Sequence, residues 1–244
     1  MELRGATALI TGGAHRLGRA IALDLAEAGT DVAFTYFSSA AAAEETQRAI
    51  EQRGVRALAL QADAADDRQM AAVLSAVRRQ FDRLDLWVAN AGVFRRTPLA
   101  GATEADWDDM WRANFETLRV PARRIGALMR RQASGGSIVA LADVAALRPW
   151  ADYIPYCVAK RAVVALTEEL ARRLAPRVRV NAIAPGPVLF PDDFPAAARR
   201  REVARTALRR EGSARNISHA VRFLATNDYV TGTVLPVDGG RLLG

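Results

Sequence analysis

Short runs of apolar and β-branched residues alternate along the chain with longer stretches in which apolar positions return every three or four residues. The short runs have the pattern of strands buried on both faces, and the longer ones that of amphipathic helices, so their alternation predicts repeated βα units in a parallel sheet. Strands are predicted at Ala6 to Ile10, Asp31 to Tyr36, Arg56 to Gln61, Leu84 to Ala89, Gly136 to Leu141, Arg177 to Ile183 and Thr233 to Pro236. Helices are predicted at Arg16 to Ala28, Ala40 to Arg53, Asp66 to Phe81, Thr103 to Arg131, Ile154 to Leu174 and Ser218 to Ala225. No internal repeat or linker divides them, so residues 1–244 read as a single doubly wound α/β domain with a seven-stranded parallel sheet. A chain of this length buries roughly 70–75% of its unfolded surface, enough for a full core.

One segment breaks the rhythm. From Pro185 to Pro195, prolines surround Asp192 and Asp193, and a charged helix follows from Ala196 to Arg210. Irregular proline-rich loops inside a compact domain are more often binding loops or lids than accidents, so residues of about 185–211 are read as a substrate loop, with a plain surface excursion as the alternative.

Composition narrows the function classes. Charged residues interrupt every apolar run before the ~20 positions that a membrane span needs, and Met1 to Gly5 lacks a signal-peptide layout, which predicts a cytoplasmic protein with no membrane partner. The lone Cys157 excludes an internal disulfide, and His15 and His219 are too far apart for zinc spacing, so no metal is expected. The net charge of +7 and the arginines from Arg199 to Arg210 raise the question of nucleic acid. Those arginines sit among alanines, without interleaved aromatics or a helix-turn-helix pattern, and are read as a solvated helix face. Every basic residue is arginine except Lys160. An ammonium is compact and tunable where a guanidinium is planar and permanently charged, so that one position calls for an amine.

The first strand runs into Thr11-Gly12-Gly13-Ala14-His15-Arg16-Leu17-Gly18 and then a helix. Glycines there let the backbone turn sharply and let a phosphate approach the helix N-terminus, which points to a dinucleotide. The second strand closes on Tyr36-Phe37-Ser38-Ser39 without the carboxylate that would hold an adenosine ribose. With Arg16, Ser38 and Ser39 available for charge-assisted bonds to a 2′-phosphate, the predicted cofactor is NADPH. Tyr156 and Lys160 lie four apart at the start of the fifth helix, on one face. A nearby ammonium would draw the tyrosine pKa down from about 10, making Tyr156 a usable general acid for a substrate that accepts hydride.

Thr11 to Gly18, Asn90-Ala91-Gly92, Tyr156 to Lys160, Asn181 to Gly186 and Tyr229 to Gly240 together resemble the short-chain dehydrogenase/reductases over almost the whole chain. The resemblance implies a Rossmann-type fold and a small-molecule substrate. It puts Gly12, Leu17 and Gly18 at the cofactor phosphates, Asp63 and Ala64 at the adenine, and Asn90, Ala91, Gly92, Pro185 and Gly186 along the cofactor. It also implies that Asn114 holds a relay to Lys160, that Lys160 binds the nicotinamide ribose, and that the chain forms a homotetramer through the helices around Thr103 to Arg131 and Ile154 to Leu174. The hydroxyl residue common after Pro185-Gly186 in that family is replaced by Pro187, Val188 and Leu189.

Most of that family has a serine thirteen residues before the tyrosine, where this chain has Asp143. A carboxylate repels a carbonyl oxygen, yet it accepts from an NH-rich heterocycle or, when protonated, relays a proton. Asp143, Arg16, Phe94 and Pro191-Asp192-Asp193-Phe194-Pro195 are similar to the pteridine reductases, which implies a pterin sandwiched on Phe94, with Arg16, Asp143 and Tyr156 also touching substrate. The reading is therefore an NADPH-dependent pterin reductase. Its rivals are a carbonyl or 3-oxoacyl thioester reductase of the same family and a non-catalytic NADPH sensor. Arg241 lies in the tail that reaches a neighbouring site in pteridine reductases, but the match is too loose to give it a role.

Overall fold

In the computed structural model, which describes residues 1–191 and 194–244, seven strands form one all-parallel sheet. They are β1 (Thr7–Ile10), β2 (Asp31–Tyr36), β3 (Ala57–Gln61), β4 (Leu86–Ala89), β5 (Gly136–Leu141), β6 (Val178–Pro185) and β7 (Val234–Val237), in the order β3-β2-β1-β4-β5-β6-β7. The helices are α1 (Arg16–Glu27), α2 (Ala40–Glu51), α3 (Asp67–Phe81), α4 (Glu104–Trp111), α5 (Thr117–Arg131), α6 (Ile154–Leu174), α7 (Ala196–Ala204) and α8 (Ala214–Thr226).

The doubly buried strands explain the layering. Leu9, Trp87, Ile138 and Val180 face α3, α5 and α6, where Val73, Ile125 and Val163 meet them. Their neighbours Ile10, Val88 and Val139, with Phe34, face α1 and α8, against Ile21, Leu25, Ile217 and Val221. Each such side chain contributes about 1.5–3 kcal/mol on burial, and the period of two distributes them to both faces. No helix among the described residues is long and apolar enough to cross a membrane.

Three helices differ from their predicted bounds by more than two residues, each for a local reason. The stretch Thr103 to Arg131 is not one helix: α4 and α5 are separated by a π-helical turn at Arg112–Glu116. There the Asn114 amide donates to Met110 O and its Oδ1 accepts from Val93 N, so the extra residue in the turn carries a polar side chain into the interior. The last predicted helix begins earlier, at Ala214, because Asn216 Oδ1 accepts from Ser213 N at 2.8 Å and closes its first turn. The charged helix α7 stops at Ala204 rather than Arg210, where Thr206 is buried and Leu208 N donates to Gly239 O.

Strand order reverses between β1 and β4, and the crevice at that switch point is where ligands bind in such sheets. Two loops meet there. Asn90 Nδ2, after β4, donates to Thr11 O at 3.0 Å and Gly12 O at 2.9 Å, tying the glycine loop down. A Cβ at Gly18 would lie 2.1 Å from Gly12 O and 2.7 Å from Asn90 Nδ2, against groups that are already bonded. Gly18→Ala is accordingly expected to destabilise the fold by about 1–3 kcal/mol in denaturant unfolding; an unchanged midpoint would mean the loop relaxes freely.

Candidate active site

At the adenosine end the groups expected from sequence lie along the carboxyl edges of β1, β2 and β3. His15, the N-cap of α1, makes no capping bond, and no acidic residue occupies the first turn, so the helix start is clear for an anion. Ser39 precedes α2 without a capping bond, and beside it Phe37 is 72% exposed, a large apolar ring in a position sequence reasoning passed over. Asp63 follows β3, its carboxylate accepting from Arg112 Nη2 and from Ala65 N, and Ala64 is buried beside it.

Arg16 does not join Ser38 and Ser39. Its backbone takes a left-handed conformation (φ 51°), and its guanidinium donates to Leu189 O on the loop after β6, at the wall of the cleft. Leu17 lines the same cleft, as do Pro185 and Gly186. Gly186 packs so close to Asp238 that a Cβ would fall 2.5 Å from its Cα. Of the loop motif at 191–195, Asp192 and Asp193 lie outside the described residues.

The cleft encloses about 950 Å³, and three elements meet at its centre. From α6, Tyr156 and Lys160 point inward, 4% and 5% exposed. Asp143, just past β5, accepts from the Tyr156 hydroxyl at 2.7 Å through Oδ2 and from Ala145 N at 2.8 Å through Oδ1. Lys160 Nζ donates to Leu141 O at 2.8 Å and sits 5.8 Å from the centre of the Tyr156 ring. Gly92 is the shared neighbour of the third element. A Cβ there would lie 2.8 Å from Asn114 Oδ1 and 3.5 Å from Lys160 Nζ, so bare backbone separates the two side chains. Ala91, before it, donates its N–H to Thr11 Oγ1 and accepts from the Thr117 hydroxyl.

The electrostatics reverse one expectation. The Tyr156 hydroxyl is pushed well above its ordinary pKa, first by burial and then by the Asp143 carboxylate that it faces. The sequence spacing gives the lysine as its neighbour, but the amine is turned to Leu141 O and the oxygen nearest the phenol is an acid. Burial also raises Asp143, despite hydrogen bonds from Ala145 and Tyr156, and draws Lys160 down to about 8. A phenol that holds its proton tightly thus stands between a carboxylate that accepts from it and an amine that releases its own proton more easily than usual. Such a set can store a proton close to the cleft and deliver it.

Phe94 sits over this group in an aromatic cluster that sequence reasoning missed, apart from Phe94 itself and the Phe194 of the loop motif. Its ring stacks on Tyr153 at 4.7 Å and meets Tyr156 edge-on at 5.1 Å; Trp150 and Phe194 close the sides. Tyr153 and Trp150 precede Tyr156 by three and six residues, a spacing that was the available signal. One face of Phe94 is therefore covered, and only the other is open to a flat ligand.

Residues 12–241 match the family described as enoyl-(acyl carrier protein) reductase. The chain is 35% identical over 242 residues to the 3-oxoacyl-(acyl-carrier-protein) reductase FabG of Staphylococcus aureus, covering 97% of this chain and 98% of that one. Among solved structures it is similar to levodione reductase, with a TM-score of 0.93, 30% identity and 99% of each chain covered. It is also similar to a short chain dehydrogenase from Burkholderia cenocepacia J2315 in complex with NADP, with a TM-score of 0.91, 34% identity, and 99% of this chain and 100% of that one covered.

Proposed function

The chain belongs to the short-chain dehydrogenase/reductase family, and from that premise we propose that it is an NADPH-dependent reductase of a small carbonyl compound, with a 3-oxoacyl thioester as the substrate class. The observation that carries the reductase reading is the hydrogen-bonded pair Tyr156 and Asp143, facing the cleft beside the buried Lys160. The thioester is favoured by the Staphylococcus aureus relative. NADPH is favoured by the acid-free end of β2 and by the NADP bound to the Burkholderia neighbour.

The residues present fit a dinucleotide. Gly12, with φ 69°, and Gly18 leave space where side chains would stand, and the uncapped start of α1 offers N–H groups to a pyrophosphate. Asn90, Gly92, Pro185 and Gly186 would flank the nicotinamide, Lys160 its ribose, and Ser38, Ser39, Asp63 and Ala64 the adenosine. Bound there, the nicotinamide supplies a hydride. Tyr156 gives its hydroxyl proton to the substrate atom that gains negative charge, and Lys160, with a pKa of about 8, restores it. Asn114 fixes the backbone on which Lys160 and Gly92 meet. Asp143, where most of the family has a serine, would act on a carbonyl through the Tyr156 hydroxyl that it orients at 2.7 Å.

A second reading, reduction of a pterin such as dihydrobiopterin or dihydrofolate, is favoured by Asp143 itself. An ionised carboxylate beside Tyr156 suits an NH-rich heterocycle better than a ketone, and the presence of Phe94 and Arg16 in the lining of the same cleft supports a flat, polar ring. The two readings separate in one assay of cofactor oxidation, with NADPH and NADH each offered with acetoacetyl thioester, dihydrobiopterin and dihydrofolate. Thioester turnover with NADPH is the expected result, and pterin turnover alone would transfer the assignment to the second reading. NADPH binding with no turnover of any compound would leave the non-catalytic sensor.

A further inference from the structure

Among thirty-odd basic side chains, Arg241 is singular: it is the only arginine buried among the described residues, at 4% exposure, and no role has so far been found for it. It lies on the 3-10 turn after β7 (Arg241–Leu243). That turn is stiff, because Asp238 accepts from Gly240 N at 2.8 Å and from Leu242 N at 2.9 Å, and because β7 runs into it directly from the sheet. From this platform the guanidinium reaches one carboxylate oxygen of Glu202, with Nε and Nη2 both at 3.0 Å. Glu202 belongs to α7, and its other oxygen accepts from Arg205. Helix α7 buries none of its own residues, so no apolar face seals it to the domain. Its Ala197, Ala198, Arg201 and Glu202 nonetheless line the cleft.

A helix over a cleft that buries no residue of its own is held by its polar contacts, and beside the exposed Arg199–Glu211 pair the hydrogen-bonded ion pair to Arg241 is the strong one, since without Glu202 the Arg241 charge is left buried and unpaired. We infer that Arg241 is a positioning residue, which through Glu202 fastens α7 as the roof of the substrate cleft and so sets how tightly substrate is held. The inference rests on the reading of this cleft as the reductase site, and it gives Arg241 a role within its own subunit.

The test uses the full chain with Arg241→Met, Glu202→Gln and the two combined. Three readouts are followed: NADPH titration by fluorescence, KM and kcat for acetoacetyl thioester and dihydrobiopterin, and the rate of tryptic cleavage at the arginines from Arg199 to Arg210. Each single variant is expected to raise KM about tenfold with kcat and NADPH affinity little changed, and to speed cleavage of α7; the double variant should do no worse than either single one. Arg241→Lys, which keeps the charge without the planar guanidinium, should fall between. If Arg241→Met fails to fold, Glu202→Gln carries the test, since it leaves Arg241 in place. Unchanged KM and cleavage in variants that bind NADPH normally would overturn the inference, as would an effect confined to Arg241→Met, which would make Arg241 a direct substrate contact. If neither compound is turned over by the parent protein, the reductase reading fails separately, and faster cleavage of α7 still reports the anchor.

Discussion

Tyr156→Phe is expected to lower kcat by about 10²–10⁴ while leaving NADPH affinity unchanged, the measurement being steady-state turnover beside a fluorescence titration of the cofactor. The substitution removes one oxygen and keeps the ring, so the packing of Tyr156 with Met110, Ala145 and Cys157 survives, and so does its edge contact with Phe94. What disappears is the proton that the hydroxyl holds against Asp143. Lys160 cannot replace it. Its amine donates to Leu141 O and stands 5.8 Å from the ring, behind the phenol rather than beside the open cleft. Turnover near the parent rate would take Tyr156 out of the mechanism and leave Asp143 as the remaining acid at the site.

The sheet was legible because its signal is local and repeated. Strands such as Ala8-Leu9-Ile10 and Leu86-Trp87-Val88 bury both faces, so an unbroken apolar run has no other stable place in a chain of this size. The βα rhythm carried the doubly wound parallel sheet, whereas the strand order, and with it the switch point between β1 and β4 where Asn90 bonds to Thr11 O, is set by tertiary packing that no local pattern shows. The helix after Thr103 was misread because a π turn adds one residue without changing the apolar period enough to be noticed, and its cause, the inward Asn114, is a contact with Met110 and Val93 that spacing alone does not reveal.

The site was legible in its members and less so in its physics. Tyr156, Lys160, Asp143, Asn114 and Phe94 do converge. The Tyr156 pKa lies above its ordinary value rather than below it because a spacing of four shows neither the depth of burial nor the carboxylate that reaches the hydroxyl from the end of β5. Arg16 carries both a phosphate and a substrate role in the sequence reading, and with its left-handed backbone it donates to Leu189 O at the cleft, a contact that no local pattern shows. Arg241 had no local pattern at all. Its partner Glu202 is 39 residues away, and only the fold makes the pair.

Asp143→Ser is the substitution with the widest reach, since it changes both substrate and pH dependence. The carboxylate makes the Tyr156 proton harder to remove and favours the charged form of Lys160. Removing it lowers both pKa values, so the limb of kcat/KM that falls as pH rises, set near 8 by Lys160, should move to lower pH by on the order of one pH unit. Serine is shorter and neutral, and its hydroxyl donates to a carbonyl oxygen without first having to be protonated, so thioester turnover near neutral pH is expected to rise. Pterin turnover is expected to fall, because the acceptor for ring N–H groups is gone. The pH profiles of the parent and the variant on both substrates decide the matter together. A limb that stays where it is would detach Asp143 from the Tyr156 and Lys160 titrations. An unmoved substrate preference would mean that the carboxylate, though bonded to the hydroxyl, is a turn-capping group that takes no part in choosing what is reduced.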